Sequence, residues 1–336
     1  MSKRFRRPRG VATTLAVIGA TVAALAFAAC GEDEESANGG KQVKVLAFTA
    51  PSLGAFVPAV IESQGIDGKH GLDLKFTYTT PDNYNAEFAG GNTDVGGSAA
   101  LLSEALRSEK GSKSTYLFNV FDYYGAVVTE KDDIQRLPDL EGKSLAAATG
   151  TTNYAMFEWF AKQQGLDAKK TKRLNQTTPG LSTMALSGRA DATQLWEPAY
   201  SGLIAQKKDI RTLDLGLPRW KQRFGTERIP YLGVASTPEW VKKNPKLVKP
   251  LYDTYKEAAD FILKNPDEAS KLIAAKIPNG KPETIKGLIE NNERLGLRVT
   301  PAGELRKPIE AVFEAGQETG YLKKDPPKTI VYDGEK

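Results

Sequence analysis

The stretch ALSGRADATQLWEPAY, residues 185–200, decides how this chain folds. Leu186 and Ser187 end a helical pattern at Gly188, a residue suited to the left-handed position that closes a helix. Two residues follow, then Asp191, then the apolar run of a strand that Pro198 stops. The segment FAGGNTDVGGSAA, residues 88–100, repeats the arrangement: a helix ends at Gly91, two residues intervene, Asp94 follows, and a strand begins at Val95. Two copies of helix, Gly, two residues, Asp and strand imply two like α/β units. In open α/β sheets ligands bind beyond the carboxyl ends of the strands. Those ends are Ser98-Ala99-Ala100 in one unit and Trp196-Glu197-Pro198 in the other. Two such lobes facing each other make a cleft.

Outward from these anchors the pattern stays α/β. Val43–Phe48 reads as a strand, Thr49–Gly54 as a loop, and an apolar helix runs to about Gln64. Leu72, Leu74 and Phe76 alternate with Asp73 and Lys75, another strand. A short helix near 83–89, a strand around Val95, a helix near 99–109 and strands at 115–121 and 125–129 follow. The second unit spans 125–236, with strands at 144–148, 172–176 and 191–195 and helices at 153–164 and 179–187. Strands alternating with helices predict a largely parallel sheet. Beyond it Leu247, Val248, Leu251, Tyr255, Ala258, Ala259 and Ile262 form one helical face. Helices near 266–276, 282–295 and 301–319 and an extended tail over 325–336 follow.

Charge and composition exclude several function classes. The chain has 336 residues, 46 Lys+Arg, 41 Asp+Glu and a net charge of +5. Five of those bases lie in residues 1–29, which hold no acid; subtracting them leaves 41 bases against 41 acids. A neutral body lacks the basic face that nucleic-acid binding needs. One His and one Cys leave nothing for a His/Cys metal site, a disulfide framework or a Cys–His pair. A Ser-His-Asp site would have to use His70, whose setting, Gly68-Lys69-His70-Gly71, reads as a solvated turn. No catalytic residue, metal or cofactor is expected.

Residues 1–10 are basic, 11–29 apolar and small, and four acids follow Cys30 and Gly31. This is a secretory signal in form, with an uncleaved membrane anchor as the alternative. Phe27-Ala28-Ala29-Cys30 is similar to the lipobox of bacterial lipoproteins, which makes Cys30 the lipid anchor; Phe27 stands where that group usually has Leu. Ordinary cleavage around Ala26-Phe27-Ala28 is the competing reading. Residues 30–41 then form a flexible tether.

Six segments together resemble the extracytoplasmic solute-binding proteins of the nitrate/sulfonate/taurine type and their pyrimidine-binding relatives, which serve ABC importers. They are HGLDLKF (70–76), AEFAGGNTDVGG (86–97), LPDLEGKSLAAATGT (137–151), ALSGRADA (185–192), WEPAY (196–200) and TPEWVKKNP (237–245). The resemblance runs from about Val43 to Asn265. It implies a periplasmic-binding-protein-like fold of type II: two α/β lobes joined by two crossing segments, with additional C-terminal helices. One lobe takes 42–124 and 237–336, the other 125–236. It also implies closure on the solute, docking onto a membrane permease and an extracytoplasmic location. A monomer is expected.

The cleft candidates follow from chemistry. Thr151, Thr152 and Asn153 start a helix after a strand, where free N–H groups and the dipole favour an anion; simple capping is the bland alternative. Gly150 is not followed by Lys-Ser/Thr, so this is no nucleotide loop. Ser52 and Leu53, and Ser98 and Ala99, face them from the other lobe. Asp122, Tyr123 and Tyr124 lie at the first crossing; Asp122 is either a cation acceptor or a buried structural acid. Asn83 and Tyr84, with Asn85, and Thr177 and Thr178 follow strands. Tyr231 is near the return crossing. Trp196 and Glu197 together suit an ammonium or a polarised ring, unless Trp196 is core and Glu197 an ion-pair partner. The combination favours a zwitterion such as taurine or another sulfonate, with a planar pyrimidine nearly as well served. The enzyme within the same fold family, which that resemblance says needs histidine-rich iron chemistry, is not matched by a chain whose one His is His70. A ligand sensor for a membrane protein is the third class.

Overall fold

The computed structural model describes residues 40–334. The leader, Cys30 and most of the tether lie outside the described residues. Eleven strands are described: β1 Lys41–Phe48, β2 Leu72–Thr79, β3 Val95–Ala100, β4 Thr115–Asp122, β5 Gly125–Thr129, β6 Ser144–Ala147, β7 Lys172–Asn175, β8 Ala192–Trp196, β9 Arg211–Leu213, β10 Pro230–Ser236 and β11 Leu297–Pro301. They form two sheets. The six-stranded sheet has the order β11-β4-β10-β3-β1-β2 and the five-stranded sheet β7-β6-β8-β5-β9. In each, three strands run parallel (β2-β1-β3 and β7-β6-β8), and an antiparallel strand lies beside the third, β10 in one and β5 in the other.

The Gly–Asp repeat is the local device that builds both sheets. Asp94 accepts from Lys44 N at 2.8 Å, tying the turn before β3 to β1. Asp191 accepts from Ser144 N at 2.8 Å and Ser144 Oγ at 2.7 Å, tying the turn before β8 to β6. The two Asp carbonyls are matched as well. Ser236 Oγ, at the end of β10, donates to Asp94 O, and Thr129 Oγ1, at the end of β5, donates to Asp191 O, both at 2.6 Å. Gly188 takes the left-handed conformation (φ 62°), as does Gly91 (φ 74°). The repeat therefore sets register as well as turning the chain.

The chain passes from one sheet to the other at Tyr123-Tyr124 and returns through 225–229. Asp122 is bonded to Arg228 across these two crossings, and Tyr123 N donates to Ile229 O at 2.8 Å. Burial pushes the Asp122 carboxyl above its ordinary range, and Arg228 opposes that push. Tyr123 stacks on Phe160 and meets Tyr231 edge-on. Beside the crossings Trp159, Phe160 and Trp220 are fully buried, and Trp159 Nε1 donates to Glu318 on the C-terminal helix Arg306–Glu318.

Several expectations shift. β10, counted with the second lobe in the sequence division, pairs with β3 and β4 of the six-stranded sheet. β11 was not foreseen; five residues between helices carry too little alternation to announce a strand. The helix expected over 282–295 breaks into Pro282–Glu290 and Asn292–Leu295. The tail adds a bridge, Tyr116 to Val331, to the sheet edge. His70 is not free in solvent: its Nε2 lies 2.9 Å from the Glu257 carboxylate.

Replacing Asp191 by Ala removes both Ser144 bonds and should cost about 2 kcal/mol in urea denaturation. Those bonds hold the Asp191 carboxyl below its ordinary range. Its folded-state pKa is thus depressed, so its contribution is present above the unfolded value and is lost as pH falls through the lowered folded one. D191A should therefore show a shallower loss of stability on acidification than the natural protein.

Candidate functional site

A cavity of about 380 Å³ lies where the two sheets face each other. Its walls are strand ends and the residues just past them. Phe48 closes β1, Pro81 and Asp82 follow β2, Ala100 ends β3, Ala148 follows β6, Asn175 ends β7 and Trp196 ends β8. Antiparallel β10 enters from the same side, and Tyr231 and Leu232 near its start line the cavity. The parallel strands of both sheets thus deliver their carboxyl ends to one space, as open α/β sheets do.

Two helices start in this wall. Thr151 caps the helix Thr152–Gln163, accepting from Tyr154 N at 3.2 Å. Thr177 caps the helix Thr178–Ser187, accepting from Gly180 N at 3.4 Å. Both starts line the cavity, with Gly150, Thr151, Thr152 and Asn153 from one and Thr177 and Thr178 from the other. The capping threonines leave other N–H groups of each first turn, and the positive dipole ends, for an anion. Asn175 braces the first loop by accepting from Thr149 N and Oγ1 at 3.0 and 2.8 Å.

The side chains around these helix starts are hydrogen-bonding but uncharged. Thr152 Oγ1 lies 3.1 Å from Ser103 Oγ, which reaches Tyr321 OH at 3.3 Å. Asn153 is 1% exposed; its Nδ2 is bonded to Tyr231 OH, while its Oδ1 has no protein partner. Thr178 Oγ1 is also buried without one. Leaving a buried polar group unpaired costs about 1–3 kcal/mol, a cost a bound solute can offset. Among the described residues that line the cavity there is no Lys or Arg, and the only acids are Asp82 and Glu197.

Glu197 is already engaged. It is 1% exposed and ends β8's run into the cavity wall. Its Oε1 accepts from Arg294 Nε at 3.0 Å and Nη2 at 2.6 Å, and its Oε2 accepts from Ser201 N at 3.1 Å. Arg294 also donates to Ser201 Oγ at 2.6 Å and lies 4.8 Å over the Tyr200 ring. Arg294 sits on the short helix before β11, so this pair joins the two sheets. Sequence reading had no access to it, because the partners stand 97 positions apart.

Ten of the sixteen expected residues line the cavity: Ser52, Leu53, Tyr84, Thr151, Thr152, Asn153, Thr177, Thr178, Trp196 and Glu197. The structure places the other six elsewhere, each for a physical reason. Asn83 is exposed just before the helix Tyr84–Ala89, and Asn85 lines in its stead. Ser98 lies behind the wall, where its Oγ accepts from Phe48 N at 2.9 Å and donates to Gly54 O at 3.2 Å. Gly54 is required there, since a Cβ would come within 2.3 Å of that Oγ. Ala99 is fully buried within the sheet. Asp122 is held by Arg228 and Asn119. Tyr123 is packed between Phe160 and Tyr231, and Tyr124 lies against Tyr200 and Arg294. Phe48, Asp82, Ser103, Asn175 and Gln176 were missed. For Asn175 and Gln176 the signal was present, since both stand at the end of a predicted strand. Arg107 is inside the protein, bonded to fully buried Glu104 and 4.5 Å over Phe88.

The fold has relatives among known proteins. The family described as NMT1/THI5 like matches residues 67–269. A candidate binding protein of Brucella abortus (strain 2308) is 23% identical over 230 residues, 68% of this chain and 69% of that protein. The periplasmic aliphatic sulphonate binding protein SsuA of Escherichia coli superposes with a TM-score of 0.70 at 15% identity, covering 88% of this chain and 92% of that one. The alkanesulfonate-binding protein SsuA of Xanthomonas axonopodis pv. citri, bound to MOPS, gives 0.68 at 15% identity over 84% and 94%. The fold is that of the periplasmic binding proteins.

Replacing Arg294 by Met leaves a buried carboxylate unpaired and should cost about 3–5 kcal/mol in denaturant unfolding. The double variant E197Q/R294M, which leaves no lone charge, should recover most of that loss.

Proposed function

We propose that this chain, which belongs to the NMT1/THI5-like family, is an extracytoplasmic solute-binding protein that captures a small polar solute and passes it to an ABC importer. The observation that carries this reading is the convergence of two helix starts, Thr152 and Thr178, on one cavity between two sheets. Binding needs no covalent chemistry: the wall offers donors, acceptors and aromatic faces. We divide the protein into two lobes, 42–124 with 237–336 and 125–236, with β10 at the end of the second segment adding a strand to the first lobe's sheet. Closure of one lobe on the other would bury the solute.

The solute class follows from charge. With no Lys or Arg in the wall, an anionic head is held by N–H groups and hydroxyls, which suits a diffuse monoanion such as a sulfonate. The two SsuA proteins above are named for binding aliphatic sulfonates. The amine of a zwitterion fares worse than the sequence implied, because Glu197 and Asp122 are each held by an arginine. Phe48, Tyr84, Trp196 and Tyr231 also face the cavity, so a planar pyrimidine stacked on one of them is the second reading. A signalling partner in place of the permease would use the same site. Lipidation at Cys30 would tether a monomeric body to the outer membrane face. Among the described residues no helix is long and apolar enough to cross a membrane.

Isothermal titration with ethanesulfonate, MOPS, nitrate and a hydroxymethylpyrimidine tests the assignment. A bound solute at 100 times its Kd should add about 2.7 kcal/mol of stability. Thr178→Val should weaken a sulfonate about tenfold, the value of one charge-assisted hydrogen bond, whereas Asn153→Leu, which removes the acceptor Oδ1, should weaken only a solute that donates a hydrogen bond there. A pyrimidine that binds while every sulfonate fails would select the second reading.

A further inference from the structure

Resting on the reading of the cavity as a solute site, we propose that Arg294 is a specificity-determining residue: a built-in cation that occupies Glu197 and so keeps amine-bearing solutes from gaining by it. Glu197 lines the cavity, and its carboxylate lies fully buried behind the surface. A carboxylate in that position would be a strong site for a ligand ammonium. Arg294 reaches it from the other sheet with two nitrogens on Oε1, while Ser201 N takes Oε2. The guanidinium does not itself line the cavity. It is held by Ser201 Oγ and by the face of Tyr200, 4.8 Å away.

The arrangement fills the acid's strongest acceptor directions from inside the protein. A guanidinium held between a hydroxyl and an aromatic face is pre-organised, so an ammonium from solution must displace a partner already in place. The cavity then reads the anionic or neutral end of a solute and is indifferent to a distant amine. Asp82, the other acid in the wall, is exposed, where a charge pair contributes little.

Taurine and ethanesulfonate differ only in the amine, which makes them the probes. Their affinities are to be measured by titration calorimetry for the natural protein and for E197Q, R294M and E197Q/R294M. The natural protein should bind the two within about threefold of each other, and E197Q should keep that ratio. R294M, which frees the carboxylate, should shift the ratio toward taurine about tenfold, and the double variant should abolish the shift. An unchanged ratio in folded R294M overturns the proposal. So does a selective loss of taurine in E197Q, which would mean that Glu197 holds the amine directly; this arm decides the matter even if R294M does not fold. If the natural protein binds neither probe at millimolar concentration, the sulfonate reading fails and this inference with it, an outcome distinct from binding with the wrong ratio.

Discussion

A carboxylate in the turn before the third strand grips an amide of the first strand, once through Asp94 and once through Asp191. That constraint locks β3 against β1 and β8 against β6. With side chains alternating along a strand, a slip of one residue would turn every face over. The grip therefore decides which residues emerge at the far ends of β3 and β8. Those ends, with the loops and helix starts beside them, are the cavity. The twin bond from the neighbouring antiparallel strand, Ser236 to Asp94 O and Thr129 to Asp191 O, clamps the turn from the other side. A short motif at the closed end of each sheet thus aligns the binding groups at the open end.

The site built on this frame is electrostatically quiet. Its charged members are either exposed, as Asp82 is, or internally paired, as Glu197 is. The groups offered to a solute are backbone dipoles, hydroxyls and an amide, which carry no net charge of their own. Asn153 adds an uncharged acceptor. Its side chain is tied to Tyr231 on the opposite sheet, its carbonyl accepts from Gln194, and one amide atom is left for a guest. Contacts that join the sheets, Asn153–Tyr231, Thr152–Ser103 and Glu197–Arg294, therefore lie in or against the wall that touches solute. A solute seated here would touch the same side chains that join the two halves.

Much of this was legible in the sequence because its signals are local. The Gly and Asp of each repeat, the threonine caps and the strand ends reveal themselves within a few neighbouring residues, and the helix starts at Thr152 and Thr178 fell within a residue or so of expectation. What stayed hidden depends on partners far along the chain. Nothing near Glu197 announces Arg294, and nothing near Asp122 announces Arg228. β10 and β11 become strands because they complete a sheet begun long before them, a tertiary effect that pattern alone does not carry. Ser98 shows the converse: it stands at the right strand end, yet its hydroxyl is consumed in holding Gly54 and Phe48.

The strand order carries a consequence for biogenesis. Every strand of the five-stranded sheet comes from the uninterrupted segment 125–213, whereas the six-stranded sheet needs β10 inserted between β3 and β4, and β11 at its edge. During vectorial synthesis the first four strands leave the ribosome with a gap at the centre of their sheet. That gap closes only after residue 236 has emerged. The half begun second can thus mature first, while the half begun first waits with unpaired edges exposed. An exported chain held unfolded until its last third is delivered avoids that interval altogether.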